Sequence, residues 1–200
     1  MVFLCQVLRA PLIVGARTAG EHDGWPGRRR ARQRQLSAAH GFDISAEFRG
    51  GKGEWGRGPL CCFQDNFRFR LAAGCDAVIT CLPSPAVSEK VLCGADGILA
   101  GLKRGGTWIE MSTLGRDDIL RLAALAADKG VDTLESPVTG GVHRAAAGEI
   151  TVLAGGDKAL FETHRPALEA MGGEIFHMGP LGAAAVIKVI TNMLAFIHLV

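Results

Sequence analysis

The segment DAVITCLPSPAVSEKVL, residues 76–92, decides the fold class, because it joins an apolar strand directly to a helix. Residues 76–82 are apolar and rich in β-branched side chains, which predicts a short buried strand. Ser84 and Pro85 then supply an N-cap and a first-turn proline, so a helix begins there and runs to about Leu92. A buried strand that leads straight into a helix is typical of the crossover units of a parallel sheet.

The same alternation continues downstream of this segment. Strands are predicted at residues 107–111, 131–134, 150–154 and 174–177, and helices at residues 117–129, from Asp157 to about Met171, and from Gly182 onward. The pattern predicts an α/β fold, with a Rossmann-like, largely parallel sheet and helices on both faces.

The first 70 residues do not follow this alternation, and we expect them to be poorly ordered. They carry many glycines and a cluster of arginines at residues 28–34, which is either a basic patch or a solvated segment. Residues 12–14 are a weak strand candidate, and only residues 40–47, HGFDISAE, have the character of ordered protein.

Composition narrows the class of protein further. The formal net charge of +2 gives no strong attraction to nucleic acid or to a membrane surface. The 6 cysteines form no C-x-x-C pair and no zinc-like spacing with histidines, so we expect no metal site and a reducing, cytoplasmic location. Residues 181–200 are apolar and near membrane-spanning length, but Lys188 and other polar residues interrupt them, and a buried helix fits better.

A first candidate site lies in residues 135–142, ESPVTGGV. A strand ends here, and Thr139, Gly140 and Gly141 lead into a short helix. The glycines let the backbone approach a ligand, the N–H groups at the helix start favour an anion such as a carboxylate, and Thr139 adds a hydroxyl donor. The same residues also fit a plain strand–turn–helix junction.

A second candidate site is formed by Lys188 and Asn192, which are spaced to face the same way on one helix. Their surroundings are apolar, and desolvation would lower the pKa of Lys188 towards the range of a general acid. The alternative is an ordinary lysine on the exposed stripe of an amphipathic helix.

A third group of candidates ends the first two clear strands. Leu82 and Pro83 follow one strand, and Ser112 and Thr113 follow the next. Cofactors of doubly wound sheets lie across the carboxyl ends of the strands, so these residues could line a dinucleotide. Proline, serine and threonine at strand ends also serve simply to make turns.

Together, and in this order, these segments resemble the β-hydroxyacid dehydrogenase family, which includes 3-hydroxyisobutyrate dehydrogenase and is related to 6-phosphogluconate dehydrogenase. The resemblance covers residues 74–192. It is most specific at residues 135–156, similar to the family's D-A-P-V-S-G-G and V-G-G pattern, and at residues 179–192, similar to its G-x-x-G…K-x-x-N-N pattern. Glu135 stands for the usual aspartate, Thr139 for the usual serine, and Thr191 for the first asparagine.

The resemblance implies a role for each candidate. Lys188 would be the catalytic residue that assists proton transfer at the substrate hydroxyl, and Asn192 would help to hold the substrate. The substrate carboxylate would be bound by Thr139, Gly140 and Gly141, and the nicotinamide cofactor would be contacted by Leu82, Pro83 and Thr113. The implied activity is hydride transfer between NAD or NADP and a small β-hydroxyacid.

The departures from the family pattern lie at the two ends. The family opens with a strand and a G-x-G-x-x-G turn that seats the pyrophosphate, and the glycines near the start of this chain, Gly15, Gly20, Gly24 and Gly27, do not have that spacing. Residues 1–70 therefore resemble a degraded or aberrant remnant of the first half of the dinucleotide-binding domain. Residues 71–180 resemble an NAD(P)-binding domain. Residues 181–200 resemble the start of a truncated helical domain that begins with a long interdomain helix. Asp43 would hold the ribose hydroxyls, which favours NAD slightly over NADP.

Three functions remain open at this point. The first is a working dehydrogenase of a small β-hydroxyacid, homo-oligomeric as in the family, although the domain that completes the dimer would be missing. The second is an inactive fragment or interaction module that keeps the scaffold. The third is an imine-reductase-like relative, against which Lys188 argues, because that branch is expected to lack the lysine.

Overall fold

The computed structural model describes residues 12–18, 42–45 and 72–198. The strands are β1 (Leu12–Thr18), β2 (Phe42–Ser45), β3 (Ala77–Cys81), β4 (Thr107–Glu110), β5 (Asp132–Glu135), β6 (Val138–Thr139), β7 (Thr151–Ala154) and β8 (Glu174–His177). The helices are α1 (Pro85–Cys93), α2 (Ile98–Gly101), α3 (Arg116–Asp128), α4 (Gly141–Ala147), α5 (Lys158–Glu169) and α6 (Ala183–His198). From residue 72 onward, strands and helices alternate as predicted.

The larger sheet has 5 strands in the order β2-β1-β3-β4-β5. Strands β3, β4 and β5 are parallel, with Ala77 opposite Thr107 and Thr107 opposite Asp132. The chain passes from β3 to β4 through α1 and α2, and from β4 to β5 through α3. These crossover connections confirm the predicted α/β, Rossmann-like fold.

The last two predicted strands lie in a second sheet of 3 strands, in the order β6-β7-β8. β7 and β8 are parallel, and α5 connects them. Strand β5 ends two residues before Pro137, which has no N–H for a further ladder bond. The chain then turns into β6, and an antiparallel bridge between Glu135 and Gly155 joins the two sheets.

The strand candidates near the start of the chain are β1 and β2. β1 pairs antiparallel with both β3 and β2, so the larger sheet is parallel only from β3 onward. The rest of the segment expected to be poorly ordered, including the arginine cluster at residues 28–34, lies outside the described residues.

Apolar side chains fill the space on both faces of the parallel strands, because successive strand residues point to opposite faces. Val78 and Trp108 pack into one cluster with side chains of α1 and α3. Ile79 and Ile109 pack into the other, which includes residues of β7 and α5. Burying side chains of this size stabilises the fold by roughly 1.5–3 kcal/mol each. The arrangement confirms that helices cover both faces.

Local signals place the helix starts. Ser84 caps α1, where its hydroxyl accepts from the Val87 N–H at 3.3 Å, and Asp157 caps α5, where its carboxylate accepts from the Leu160 N–H at 2.9 Å. Among the described residues, no helix has both the length and the apolar character needed to cross a membrane.

Candidate functional site

The carboxyl ends of β3, β4 and β5 form one edge of the parallel sheet, and the predicted cofactor contacts Leu82, Pro83 and Thr113 follow two of these strands. Thr80, Glu110 and Glu135 are neighbours in register just inside this edge. Leu82 is buried immediately after β3, Pro83 is exposed, and Thr113 is half-buried beyond β4. The segments that follow β3 and β4 are therefore neighbours at this edge.

One hydroxyl ties the two strand ends together. The Leu82 N–H donates to Ser112 Oγ at 2.7 Å. The Ser112 hydroxyl in turn donates to the carboxylate of Glu110, and the Ser112 N–H donates to Glu110 Oε1 at 2.7 Å. At the expected cofactor edge, the backbone N–H groups of Leu82 and Ser112 thus bond to side-chain oxygens rather than to the backbone of a neighbouring strand.

Glu110 is the centre of this network, and the sequence reasoning gave it no role. Its Oε2 accepts from Thr80 Oγ1 at 3.0 Å, and Thr80 Oγ1 accepts from Trp108 Nε1 at 2.8 Å. Burial raises the pKa of Glu110 to about 6, although its hydrogen bonds to Ser112 and Thr80 act in the other direction. The sequence feature that could have indicated this role is a glutamate inside the apolar segment TWIEM, residues 107–111, because a buried acid needs hydrogen-bond partners.

Lys188 lies on the buried face of α6. Only 8% of the residue is exposed, and it shares that face with Ala184 and Ala185. Burial lowers the pKa of its ammonium group, and no carboxylate among the described residues forms an ion pair with it. The alternative of a lysine on an exposed stripe is wrong. Asn192, one turn later, is half-buried.

The turn at Thr139, Gly140 and Gly141 ends β6 and begins α4. Gly140 has φ 121° and Gly141 has φ 75°, a region that side chains other than glycine rarely adopt. Both glycines are exposed and Thr139 is half-buried. Among the described residues, no side chain caps the start of α4, so its first N–H groups have no side-chain acceptor.

Helix α6 brings the lysine and this turn to the same region of the molecule. It packs against β6 and β7, and β6 carries Thr139. Its first turn is bonded to the carboxylate of Glu135, which ends β5 at the carboxyl edge. The helix that carries Lys188 therefore lies against the strand that carries Thr139, and its first turn lies at the end of β5.

Asp43 is not brought to this region. In β2 it lies opposite Arg17, while the next residue pair, Ile44 and Ala16, is level with Ala77 at the start of β3. Asp43 is thus at the amino end of the sheet, opposite to the edge beside Leu82. In a Rossmann-like sheet a ribose-binding acid lies at the carboxyl end, so the geometry does not group Asp43 with the other candidates.

The part of the chain that the structure describes offers no metal centre. It holds no group of three or more histidine, cysteine, aspartate or glutamate side chains that could bind an ion. The described side chains can donate and accept hydrogen bonds, and a buried lysine can in principle transfer a proton.

A parallel sheet with turn residues at its carboxyl edge and a buried lysine on the adjoining helix defines a Rossmann-like class of nucleotide-binding protein. Residues 63–179 match the family described as the NAD binding domain of 6-phosphogluconate dehydrogenase. The chain belongs to this family, and the resemblance stated from the sequence is confirmed.

Named relatives point the same way. The chain is 36% identical over 125 residues to 2-(hydroxymethyl)glutarate dehydrogenase of Eubacterium barkeri, a match that covers 62% of this chain and 42% of that one. It is 40% identical over 121 residues to 3-hydroxyisobutyrate dehydrogenase of Pseudomonas aeruginosa, covering 60% and 41%.

A solved structure shares the fold. Mycobacterium tuberculosis 3-hydroxyisobutyrate dehydrogenase with L-serine superposes with a TM-score of 0.59 at 37% identity, covering 63% of this chain and 42% of that one. The chain thus spans about two fifths of the length of the relatives it matches.

Proposed function

We propose that the chain provides the nicotinamide- and substrate-binding part of an NAD(P)-dependent dehydrogenase of the 3-hydroxyisobutyrate type. The observation that carries the proposal is Lys188, a buried lysine without a carboxylate partner among the described residues, on a helix packed against the Thr139 strand. A buried ammonium group is costly, and proteins keep one mainly where its chemistry is used. The names of the similar dehydrogenases support a hydroxyacid substrate.

The residues at the carboxyl edge fit the nicotinamide end of a dinucleotide. Pro83 is exposed and Thr113 half-buried, so a flat ring can reach the edge, while the buried Leu82 N–H is already bonded to Ser112. We assign Leu82, Pro83 and Thr113 to this contact. When bound, the cofactor would accept a hydride from the carbon that carries the substrate hydroxyl.

The chain's own residues then manage the proton and the orientation. In its neutral form Lys188 accepts the hydroxyl proton during oxidation, and in the reverse direction the ammonium group returns it. Its lowered pKa makes the neutral form available closer to neutral pH. Asn192, one turn along the same face, orients the substrate oxygen, and the turn at Thr139, Gly140 and Gly141 binds the carboxylate.

The choice between NAD and NADP rests on Asp43, an acid that would favour NAD through the ribose hydroxyls. Its position at the amino end of the sheet lends this preference no support. Both cofactors therefore enter the test.

A second candidate function is an inactive scaffold or interaction module. The observation that favours it is the spacing of the glycines that follow β1, because Gly20, Gly24 and Gly27 do not form the G-x-G-x-x-G turn that seats the pyrophosphate in the family. This candidate predicts a folded chain that does not respond to either cofactor.

The test combines binding and turnover on the full chain. Fluorescence titration with NADH and NADPH should saturate, and 3-hydroxyisobutyrate with the oxidised cofactor should be turned over. Lys188→Ala should lower kcat by about a hundredfold or more, as loss of a general acid–base does. The matched control is Lys158→Ala, which removes an exposed lysine from α5. No saturation at millimolar cofactor would leave only the scaffold function.

A further inference from the structure

The first turn of α6 is bonded to one distant side chain. Glu135 Oε1 accepts from the Gly182 N–H at 2.5 Å and from the Ala184 N–H at 3.0 Å, and Oε2 accepts from the Ala185 N–H at 3.1 Å. The Ala183 N–H donates to the Pro180 carbonyl oxygen at 3.0 Å. A helix start leaves its first N–H groups without intrahelical acceptors, and here every N–H from residue 182 to 185 has one.

The position of Lys188 depends on this turn. Lys188 follows Ala184 by four residues, so both lie on the same helix face. A slip of α6 by one residue would rotate the lysine by roughly 100° about the helix axis and remove it from the buried face. The contacts of Glu135 therefore decide where the ammonium group lies.

Glu135 is itself rigidly held at its backbone. Its N–H donates to the Gly155 carbonyl oxygen at 3.0 Å, and its carbonyl oxygen accepts from the Gly155 N–H at 2.8 Å. The residue is 2% exposed and ends β5. Only Ser136 and Pro137 separate it from β6, which carries Thr139.

We propose that Glu135 is the positioning residue that sets the placement of Lys188 relative to the substrate-carboxylate turn at Thr139. The inference rests on the proposed function, because it assigns both groups to one site. Glu135 does not act on the substrate. Its carboxylate neutralises the positive end of α6, so that end does not compete with the turn for the substrate anion.

Gly155 supports a specific role for the long glutamate side chain. A Cβ atom at residue 155 would overlap Glu135 Oε1, so the glycine leaves the space that this carboxylate occupies. The family pattern has the shorter aspartate at residue 135. In this chain the longer acid Glu135 therefore lies against Gly155, which has no side chain.

The test follows the environment of Lys188 in the full chain without requiring turnover. Lysines are dimethylated with ¹³C-formaldehyde, and the Lys188 signal is assigned by its loss in Lys188→Arg. Its pKa is then read from the chemical shift against pH. Glu135→Gln keeps the side-chain length but removes the charge, and the pKa of Lys188 should rise by roughly half a unit or more as the helix start loosens and the lysine gains solvent.

Two companion variants guard against misfolding as an explanation. Glu135→Asp keeps the carboxylate on a shorter side chain and should shift the Lys188 titration in the same direction but less than Glu135→Gln does. Gly155→Ala pushes on the carboxylate and should reproduce the shift of Glu135→Gln, with no further shift when the two changes are combined. Asp157→Asn is the matched control, because it removes the charge of the cap of α5, whose carboxylate accepts from Leu160 N–H at 2.9 Å.

The outcomes separate cleanly. A folded Glu135→Gln chain with an unchanged Lys188 titration overturns the inference. An equal shift of the Lys188 pKa in Asp157→Asn also overturns it, because that result would show a general effect of losing a helix cap. A Glu135-dependent titration in a chain that never turns over substrate supports the inference while the proposed function fails. In an active chain, Glu135→Gln should lower kcat about tenfold and leave cofactor affinity unchanged.

Discussion

The backbone N–H of Leu82 and the hydroxyl of Ser112 form a 2.7 Å hydrogen bond that joins the ends of β3 and β4. The same hydroxyl donates to the buried carboxylate of Glu110. The short segment that follows β3 is therefore fixed by a side chain of the neighbouring strand. A preorganised backbone at the cofactor edge loses less entropy when a ligand binds.

Ser112→Ala should destabilise the fold and weaken cofactor binding together. The change leaves the buried Leu82 N–H without its acceptor, which costs about 1–3 kcal/mol of unfolding free energy. Urea unfolding measures the loss, and NADH titration measures the change in affinity.

The control for this change is Ser136→Ala, which also removes a buried serine hydroxyl. That hydroxyl has no hydrogen-bond partner among the described residues, so its removal should cost less than Ser112→Ala. Equal losses in the two variants would contradict a specific role for the bond between Leu82 and Ser112.

The elements of the fold that the sequence predicts well are those set by neighbouring residues. Ser84 and Asp157 cap the helices that they were expected to cap, and the apolar runs became β3, β4, β7 and β8. Each of these signals operates within one helical turn or along one strand. They need no knowledge of how distant segments pair.

The parts of the site that could not be predicted depend on distant partners. Glu135 meets the start of α6 at a separation of 47–50 residues, and no local pattern indicates that contact. The placement of Asp43 depends on the register of β1 against β2 and β3, which are far apart in the sequence. The division into two sheets likewise follows from where the chain turns after Pro137.

Glu110 should make stability depend on pH in the acid range. Its pKa is raised to about 6 in the folded protein, above its ordinary value of about 4.3 in an unfolded chain. Between these values the folded state binds more protons than the unfolded state, so stability falls as pH rises. The contribution lost by pH 7 is about 2 kcal/mol.

Urea unfolding at pH 4.5 and at pH 6.5 measures this loss. Glu110→Gln cannot ionise and should remove that part of the pH dependence, whatever its effect on stability at a single pH. Glu169→Gln, on the exposed part of α5, is the control and should keep the wild-type slope. A wild-type slope retained in Glu110→Gln would assign the effect to other groups.

Lys188→Met should stabilise the fold while it abolishes turnover. The methionine keeps most of the side-chain volume and removes a buried charge, which should add roughly 1–2 kcal/mol to the unfolding free energy at pH 7. Burial lowers the pKa of Lys188 in the folded state, so the folded lysine loses its proton before the unfolded one does.

The advantage of Lys188→Met should therefore shrink as pH rises from the lowered pKa towards the ordinary lysine value of about 10.4. Thermal unfolding at pH 7 and pH 9.5 tests this, with Lys158→Met as the exposed control. If Lys188→Met is less stable than the wild type at pH 7, partners outside the described residues must compensate the charge of Lys188.

Gly141 and Gly105 provide a matched pair that separates backbone strain from substrate binding. Gly141 has φ 75° and Gly105 has φ 76°, and a Cβ atom would meet nothing within 4 Å at either position. Alanine should therefore cost about the same unfolding free energy at both positions, roughly 1 kcal/mol, because each alanine must adopt a left-handed backbone conformation.

Only Gly141 lies in the turn proposed to bind the substrate carboxylate. Gly141→Ala should raise KM for the hydroxyacid about tenfold or more, because the turn can no longer approach the anion closely, whereas Gly105→Ala should leave KM unchanged. Equal KM values in two equally destabilised variants would remove the turn from the substrate site.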